Sequence, residues 1–307
     1  MNSSLEPAII SAVVSFVSVA ATATVALASI RVSRSALDAT REGQIADRYS
    51  RAIEQLGSST IDVTIGGIYS LERIARRSPD DYHTTVMEVL AACIREHSGE
   101  QRPELPKARG AESPERTPRP DIQAALTVIG RREATHDVRP VDLNGANLTR
   151  ANLAHANLAH AGFNRAIFTA ANLVDAVLSN AHLVNANLTD ARLIRTNLAD
   201  ARLEQADLTG ARLIEANLTD AILVRAALTK AVLTSANLTR ARLDGANLTD
   251  AGLSGANLIG VNLTGAILTG ARLNKARWSE DVPAPQGWIR DSSSGCLRSA
   301  SADADDD

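Results

Sequence analysis

The sequence predicts a mainly β solenoid, a rod of short strands that coil and stack, preceded by helical segments. Three observations predict it. From Leu143 to Trp278 a large apolar residue falls on every fifth position, giving 28 centres, all Leu except Phe163, Phe168 and Trp278. The residue two before each centre is Ala, with only Val141, Thr196 and Val261 departing. Two residues after the centre, Gly recurs at 145, 210, 245, 255, 260, 265 and 270.

A helix turns about 100° per residue, so a period of five scatters these Leu around the cylinder instead of gathering them into a stripe. In an extended chain residues two apart share a face. Ala and Leu then point inward, the residue between them points outward, and two residues remain for a corner. No single pentad buries its own face, so the units must coil and stack. Gly as the second corner residue suits a type II turn, which needs φ > 0 there. Arg165, Asp190, Glu215 and Lys230 fill that place at other corners, where other turn types are expected. The Gly cluster from 245 to 270 marks the last coils as the most regular. Each fully buried Leu contributes ~1.5–3 kcal/mol, so the rod has an ample core. Phe163 and Phe168 are expected as core plugs.

Runs such as Ala146-Asn147-Leu148 and Ala206-Asp207-Leu208 follow the pattern A-(D/N)-L-x-x. In this the chain resembles the pentapeptide-repeat family. The resemblance implies a right-handed quadrilateral parallel β-helix with four pentads per coil, so that 28 pentads make about seven coils. With stacked strands ~4.8 Å apart, the rod is roughly 34 Å long.

The other segments follow from composition. Residues 1–34 read as an N-terminal anchor: positions 7–30 carry no charge, and Ala8 to Ile30 has the ~20 residues that cross a bilayer. A cleaved signal peptide, with Ala26-Leu27-Ala28 as its cleavage site, is the rival, but the basic segment that should precede it is missing. Arg31, Arg34 and Arg41 follow the span and place the C-terminal domains in the cytoplasm, with the N-terminus outside. Cys93 and Cys296 then stay reduced. Small residues at Ala20, Thr24 and Ala28 allow dimerisation through the span, so a homodimer stands among the expected partners.

Residues 35–98 read as a helical domain. Ala36, Ile45, Tyr49, Ile53 and Leu56 recur at helical spacing before Gly57-Ser58-Ser59; Ile65, Ile68, Tyr69, Leu71 and Ile74 mark a second helix. Ser78-Pro79-Asp80-Asp81 starts a third, which buries Val86, Val89, Leu90 and Ile94. The segment Asp62 to His97, above all Gly66 to Ala75, resembles the membrane-proximal region of membrane-anchored actinobacterial pentapeptide-repeat proteins. Residues 99–120 are a linker rich in Pro and charge. Within 121–140, Asp121 to Arg132 forms a short helix that covers the N-terminal end of the rod, which spans 141–280. Residues 281–307 are a C-terminal cap, with Trp278 and Trp288 over the end, followed by an acidic tail from Ala302 to Asp307.

Phosphate loops, paired metal motifs and a nucleophile elbow are absent, so no enzyme and no cofactor is expected. Cys93, His97 and His83 are too few for a metal site, and His155 and His160 read as solvated corner residues. On the outer face residues 20 apart stack. Asn157, Val177, Asn197, Asn217, Asn237 and Asn257 form an amide ladder. Val174, Ile194 and Ile214 form an apolar strip flanked by Arg192 and Arg212, the candidate protein-binding surface.

Two functions follow. One is a non-catalytic, membrane-tethered scaffold for protein–protein interaction. The other comes from the resemblance: some pentapeptide-repeat proteins imitate DNA with an acidic rod and inhibit or protect a type II topoisomerase. Charge separates the two. Residues 141–280 hold 13 Lys plus Arg and 11 Asp plus Glu, a net of +2, whereas a duplex mimic needs a sustained negative surface. Direct nucleic-acid binding is no better, for want of a basic stripe.

Overall fold

The computed structural model describes residues 5–99, 117–280 and 282–300, without the side chains of 5–28, 35 and 38. Most of the expected linker, most side chains of the expected bilayer span and the acidic tail lie outside the described residues. The chain forms two compact units, 1–54 and 55–307.

Helix α1 runs unbroken from Leu5 to Leu56, 52 residues, or ~78 Å at 1.5 Å per residue. The expected boundary between anchor and helical domain near residue 34 is therefore not a structural break: neither Pro nor Gly occurs between Ala8 and Glu42. Ile30, Val32 and Leu37 are exposed on it. Among the described residues no helix is long and apolar enough to cross a membrane, so the structure lends the expected span no support.

In the second unit α2 (Ile61–Arg77), α3 (Pro79–His97) and α4 (Pro120–Gly130) pack on one another. Helix α3 starts as its residues dictate, with Pro79 in the first turn and Asp80 and Asp81 near the positive end of the dipole. Ser78 holds the N-cap position, yet its side chain makes no cap bond. Ile68, Leu71 and Ile74, then Val86, Leu90 and Ile94, then Ile122, Leu126 and Ile129 are buried. Val89, expected to be buried with them, is only half-buried, and Tyr69 of α2 is exposed.

The rod follows. All 24 parallel bridges join a residue to the one 20 positions on, from Asp142–Gly162 to Asn257–Arg277. Four pentads therefore make one coil, and seven coils span 141–280. Only one residue per pentad is bridged, so the rod contains no longer strand; among the described residues, extended strands occur only in the hairpin β1 (Trp288–Arg290) and β2 (Leu297–Ser299), and the longer elements are all helices. Ala and Leu fill the interior, and Phe163 and Phe168 are fully buried with ring centroids 5.1 Å apart. Thr196, where Ala is the rule, is buried too, its hydroxyl donating to the Leu173 carbonyl at 2.7 Å.

The corners differ from expectation. Every second corner residue from 145 to 275 has positive φ, whether Gly or not: Arg165 lies at +60°, Asp190 at +57°, Glu215 at +57° and Lys230 at +59°. One turn geometry serves all corners, closed by a bond from the inward Ala N–H back to the Leu carbonyl, as from Ala166 to Phe163 at 3.0 Å. A left-handed non-Gly residue costs ~1–2 kcal/mol. Bonds to the next coil, such as Arg165 N–H to the Val184 carbonyl at 2.9 Å, offset that cost and hold the shape.

The two ends are closed unequally. The first coil meets a partner on each of its four sides. Arg95 donates to the Asp142 carbonyl; Ser98 Oγ accepts from Asn147 N–H at 3.0 Å. Gln123 both donates to the Asn152 carbonyl at 2.8 Å and accepts from its N–H at 2.9 Å. The Gly130 carbonyl accepts from Asn157 N–H at 2.8 Å, and a Cβ at Gly130 would stand 2.8 Å from that of Ala156. Helix α3 thus shares the cap with α4.

At the other end the hairpin covers one sector. Leu297 accepts from Lys275 N–H and donates to the Ala276 carbonyl, both at 2.8 Å, and the Gly295 carbonyl accepts from Trp278 N–H at 3.0 Å. Trp288 is half-buried in β1, and Trp278 is buried, its indole N–H donating to the Val282 carbonyl at 2.9 Å. Among the described residues the N–H groups of Leu263 and Leu268 have no acceptor, and both side chains are only half-buried. The Gly-rich last coil is therefore the least completed. Its corners are regular, but among the described residues no further coil pairs with it.

Candidate functional site

Val174, Ile194 and Ile214 stand at the same corner of three successive coils. The N–H of Asp175 donates to the Ile194 carbonyl at 3.0 Å, and that of Arg195 to the Ile214 carbonyl at 2.9 Å. All three side chains are half-buried, so the column is a shallow strip between its neighbours. Arg192 and Arg212 are bridged to each other on the adjoining face and are exposed. The structure thus brings all five candidate residues together on one corner and its adjacent face.

The surrounding charges are organised by the same 20-residue step. Asp175 receives both Nε and Nη2 of Arg195 at 2.7 Å, and its carboxyl is held below the usual range chiefly by that hydrogen bond. Asp220 is lowered in the same way by Arg240. Arg202 pairs with Glu204 at 2.9 Å and Arg242 with Asp244 at 3.4 Å, each across two residues. Arg192 and Arg212 have no such partner among the described residues.

The amide ladder is only partly direct. Asn217 donates to Asn197 at 3.1 Å, but Asn237 reaches Thr219 Oγ1 at 2.8 Å instead. Each of these Asn also accepts from the backbone two residues on, as from Ala199 to Asn197 at 3.1 Å, so the column stiffens its own corners.

A buried polar network was not legible in the sequence. His83 Nε2 lies 2.8 Å from Asp137 Oδ1, and Arg132 Nε donates to Asp137 Oδ2 at 2.7 Å. The Arg132 guanidinium, with no exposed side-chain surface, also donates to the carbonyls of Ile129, Asn157 and Ala159. Residues 54 apart in sequence meet here, and no spacing announces them. The network fastens the helices to the first coil. His97 Nδ1 sits 3.0 Å from the Cys93 carbonyl, and His83 is turned to Asp137, so Cys93, His97 and His83 do not converge. Among the described residues no group of three or more His, Cys, Asp or Glu is arranged to hold a metal ion. His155 stands 3.8 Å from Asp175, and His160 is exposed.

The family model for pentapeptide repeats matches residues 141–169, 171–210, 211–250 and 246–277. Alongside it, a pentapeptide repeat protein from Nostoc is 32% identical over 36% of this chain and 81% of its own, at a TM-score of 0.21. The chain belongs to the pentapeptide-repeat family. Pentapeptide-repeat proteins fold as right-handed quadrilateral β-helices, in keeping with the 20-residue coil. A pentapeptide repeat protein from the thylakoid lumen of Arabidopsis thaliana is 34% identical over 33% of this chain, which spans 66% of its length, at a TM-score of 0.28. QnrB1, a plasmid-mediated fluoroquinolone resistance protein, is 21% identical over 45% of this chain and 82% of its own, at a TM-score of 0.29. No curated protein matches. The pentapeptide repeats account for the rod alone, and the matches indicate no catalytic family.

Proposed function

We propose that this pentapeptide-repeat protein is a non-catalytic scaffold, tethered to the membrane through Ala8 to Ile30, whose rod captures a partner protein on its cytoplasmic side. The observation that carries the reading is the half-buried column Val174, Ile194 and Ile214 beside the exposed Arg192 and Arg212, which have no carboxylate partner among the described residues. Apolar surface rimmed by Arg is the composition that protein-binding patches favour. The uncharged stretch 7–30 followed by Arg31, Arg34 and Arg41 supports the tether and its orientation, and the wording of Gly66 to Ala75 supports a membrane-anchored subtype.

The DNA-mimic reading is weaker. A net of +2 over 141–280 and exposed Arg192, Arg202, Arg212, Arg242 and Arg272 leave no continuous acidic face. The test is proximity labelling in the native cell with the tag at the C-terminus, joined to capture by an Ile194→Asp/Ile214→Asp variant. Membrane-protein neighbours lost in the variant are expected. Topoisomerase subunits among the neighbours, or unchanged capture by a folded variant, overturn the reading.

A further inference from the structure

We propose that the partner segment docking on this strip is acidic, with carboxylates that seat on Arg192 and Arg212 while apolar side chains lie on Val174, Ile194 and Ile214. The inference rests on the docking reading above and adds the chemistry of the occupant. It starts from a pair of stacked like charges in the rod. Arg195, Arg202, Arg240 and Arg242 each have a carboxylate of the chain within ion-pair distance, and three of them, Arg195, Arg202 and Arg240, reach it with both Nε and Nη2.

Arg192 and Arg212, like Arg165 and Arg225, have no such partner among the described residues, but these two are stacked on one another. They are paired residues of adjacent coils, so two like charges sit one strand spacing apart, ~4.8 Å at the backbone, and like charges directly opposite destabilise a sheet. The column provides no relief in either direction: the residue before Arg192 is Asn172 and the one after Arg212 is Val232. For Arg195 and Arg240 the complement of the guanidinium is a carboxylate one coil away, Asp175 and Asp220. A partner carboxylate at the outer face completes the same bidentate pair. An acidic segment is favoured over an anionic lipid surface because the positive charge is confined to a pair. A short segment can place its carboxylates on that pair alone, whereas a broad negative plane would also lie over the carboxylates of Asp190 and Glu215 on the flanking corners.

The test uses the full-length chain in detergent and a fluorescein-labelled peptide of alternating Leu and Asp, read by fluorescence anisotropy. Binding that weakens with added salt is expected, with a loss of tenfold or more in Arg192→Gln/Arg212→Gln and no change in Arg165→Gln/Arg225→Gln on another face. Equal weakening by both variants overturns the proposal, as does preferential binding to anionic lipid vesicles. Circular dichroism confirms that each variant is folded. Native capture kept by Arg192→Gln/Arg212→Gln but lost in Ile194→Asp/Ile214→Asp overturns the acidic chemistry alone. Capture kept in both overturns the docking surface itself.

Discussion

Replacing Arg132 with Met tests the claim that one buried guanidinium locks the helices to the rod. The substitution keeps the length of the stem and removes donors to Asp137, Ile129, Asn157 and Ala159. Asp137, whose side chain is 12% exposed, is left with His83 alone, and two carbonyls of the first coil lose donors where water has little access. Breaking a buried pair from one side costs about 3–5 kcal/mol, against a total stability of about 5–15 kcal/mol for a typical domain. With an m-value of about 1–3 kcal/mol/M, the urea midpoint of the helical signal falls by more than about 1 M. Circular dichroism at the helical band measures this. Adding Asp137→Asn removes the orphaned charge, so the double variant recovers part of the loss, with a coupling of about 1 kcal/mol or more. A single-variant loss under about 1 kcal/mol, or strictly additive losses, would refute the clamp.

Four further outcomes follow from the rod. Leu203→Ala, in the fully buried middle of the column, costs about 3–5 kcal/mol, whereas Leu263→Ala in the half-buried last coil costs clearly less; urea unfolding of the two variants side by side decides it. By hydrogen exchange, the amides of Leu263 and Leu268 exchange far faster than those of Leu203 and Leu208, which donate at 2.7 Å to Ile222 and Ala227. Glu215→Val destabilises by about 1 kcal/mol or more because a β-branched residue tolerates φ of +57° poorly, and Glu215→Gly does not; thermal unfolding of both separates backbone strain from lost charge. Asp175 and Asp220 are lowered by Arg195 and Arg240, so their contribution is present above the ordinary carboxylate range and is lost as pH falls through it. The Asp175→Asn/Asp220→Asn variant therefore shows a flatter loss of stability on acidification below about pH 4, and an identical acid limb in both proteins contradicts the pairing.

The rod was legible in the sequence because its signal is redundant. Every pentad repeats the same inward pair, so single exceptions such as Thr196 do not shift the register. Corner conformation was less legible, since Gly reports a left-handed residue but its absence does not exclude one. At Arg165, Asp190 and Lys230 the neighbouring coils impose φ > 0, an interaction 20 residues away that local preference does not register. The capping network was illegible for a related reason. Arg95, Ser98, Gln123 and Arg132 satisfy edge groups of coil 1 at sequence separations of 25 to 49 residues, and each looks like an ordinary polar residue on its own helix. In the candidate site, the column could be read by counting in steps of 20. That its two arginines stay unpaired while their neighbours are paired needed the side chains.

The repeat also explains why a binding surface on this rod is separable from its stability. The inward Ala and Leu hold the coil, the corner closes through backbone groups, and the outward residue contributes mainly through contacts with residues 20 positions away. A change at Arg192 therefore perturbs Asn172 and Arg212 before anything in the core. Surface substitutions of this kind usually lie within about 0.5 kcal/mol, so the columns are free to vary while the fold stays fixed. An unrelieved Arg192–Arg212 repulsion persists on such a scaffold because the buried Leu column is large enough to tolerate it. The ionic strength dependence of stability reports the repulsion directly: salt should stabilise the native chain more than Arg192→Gln/Arg212→Gln, since it screens a repulsion that only the native chain carries. An equal response in both would mean that the two guanidinium groups swing apart and that the rod presents no built charge pair for a partner to neutralise.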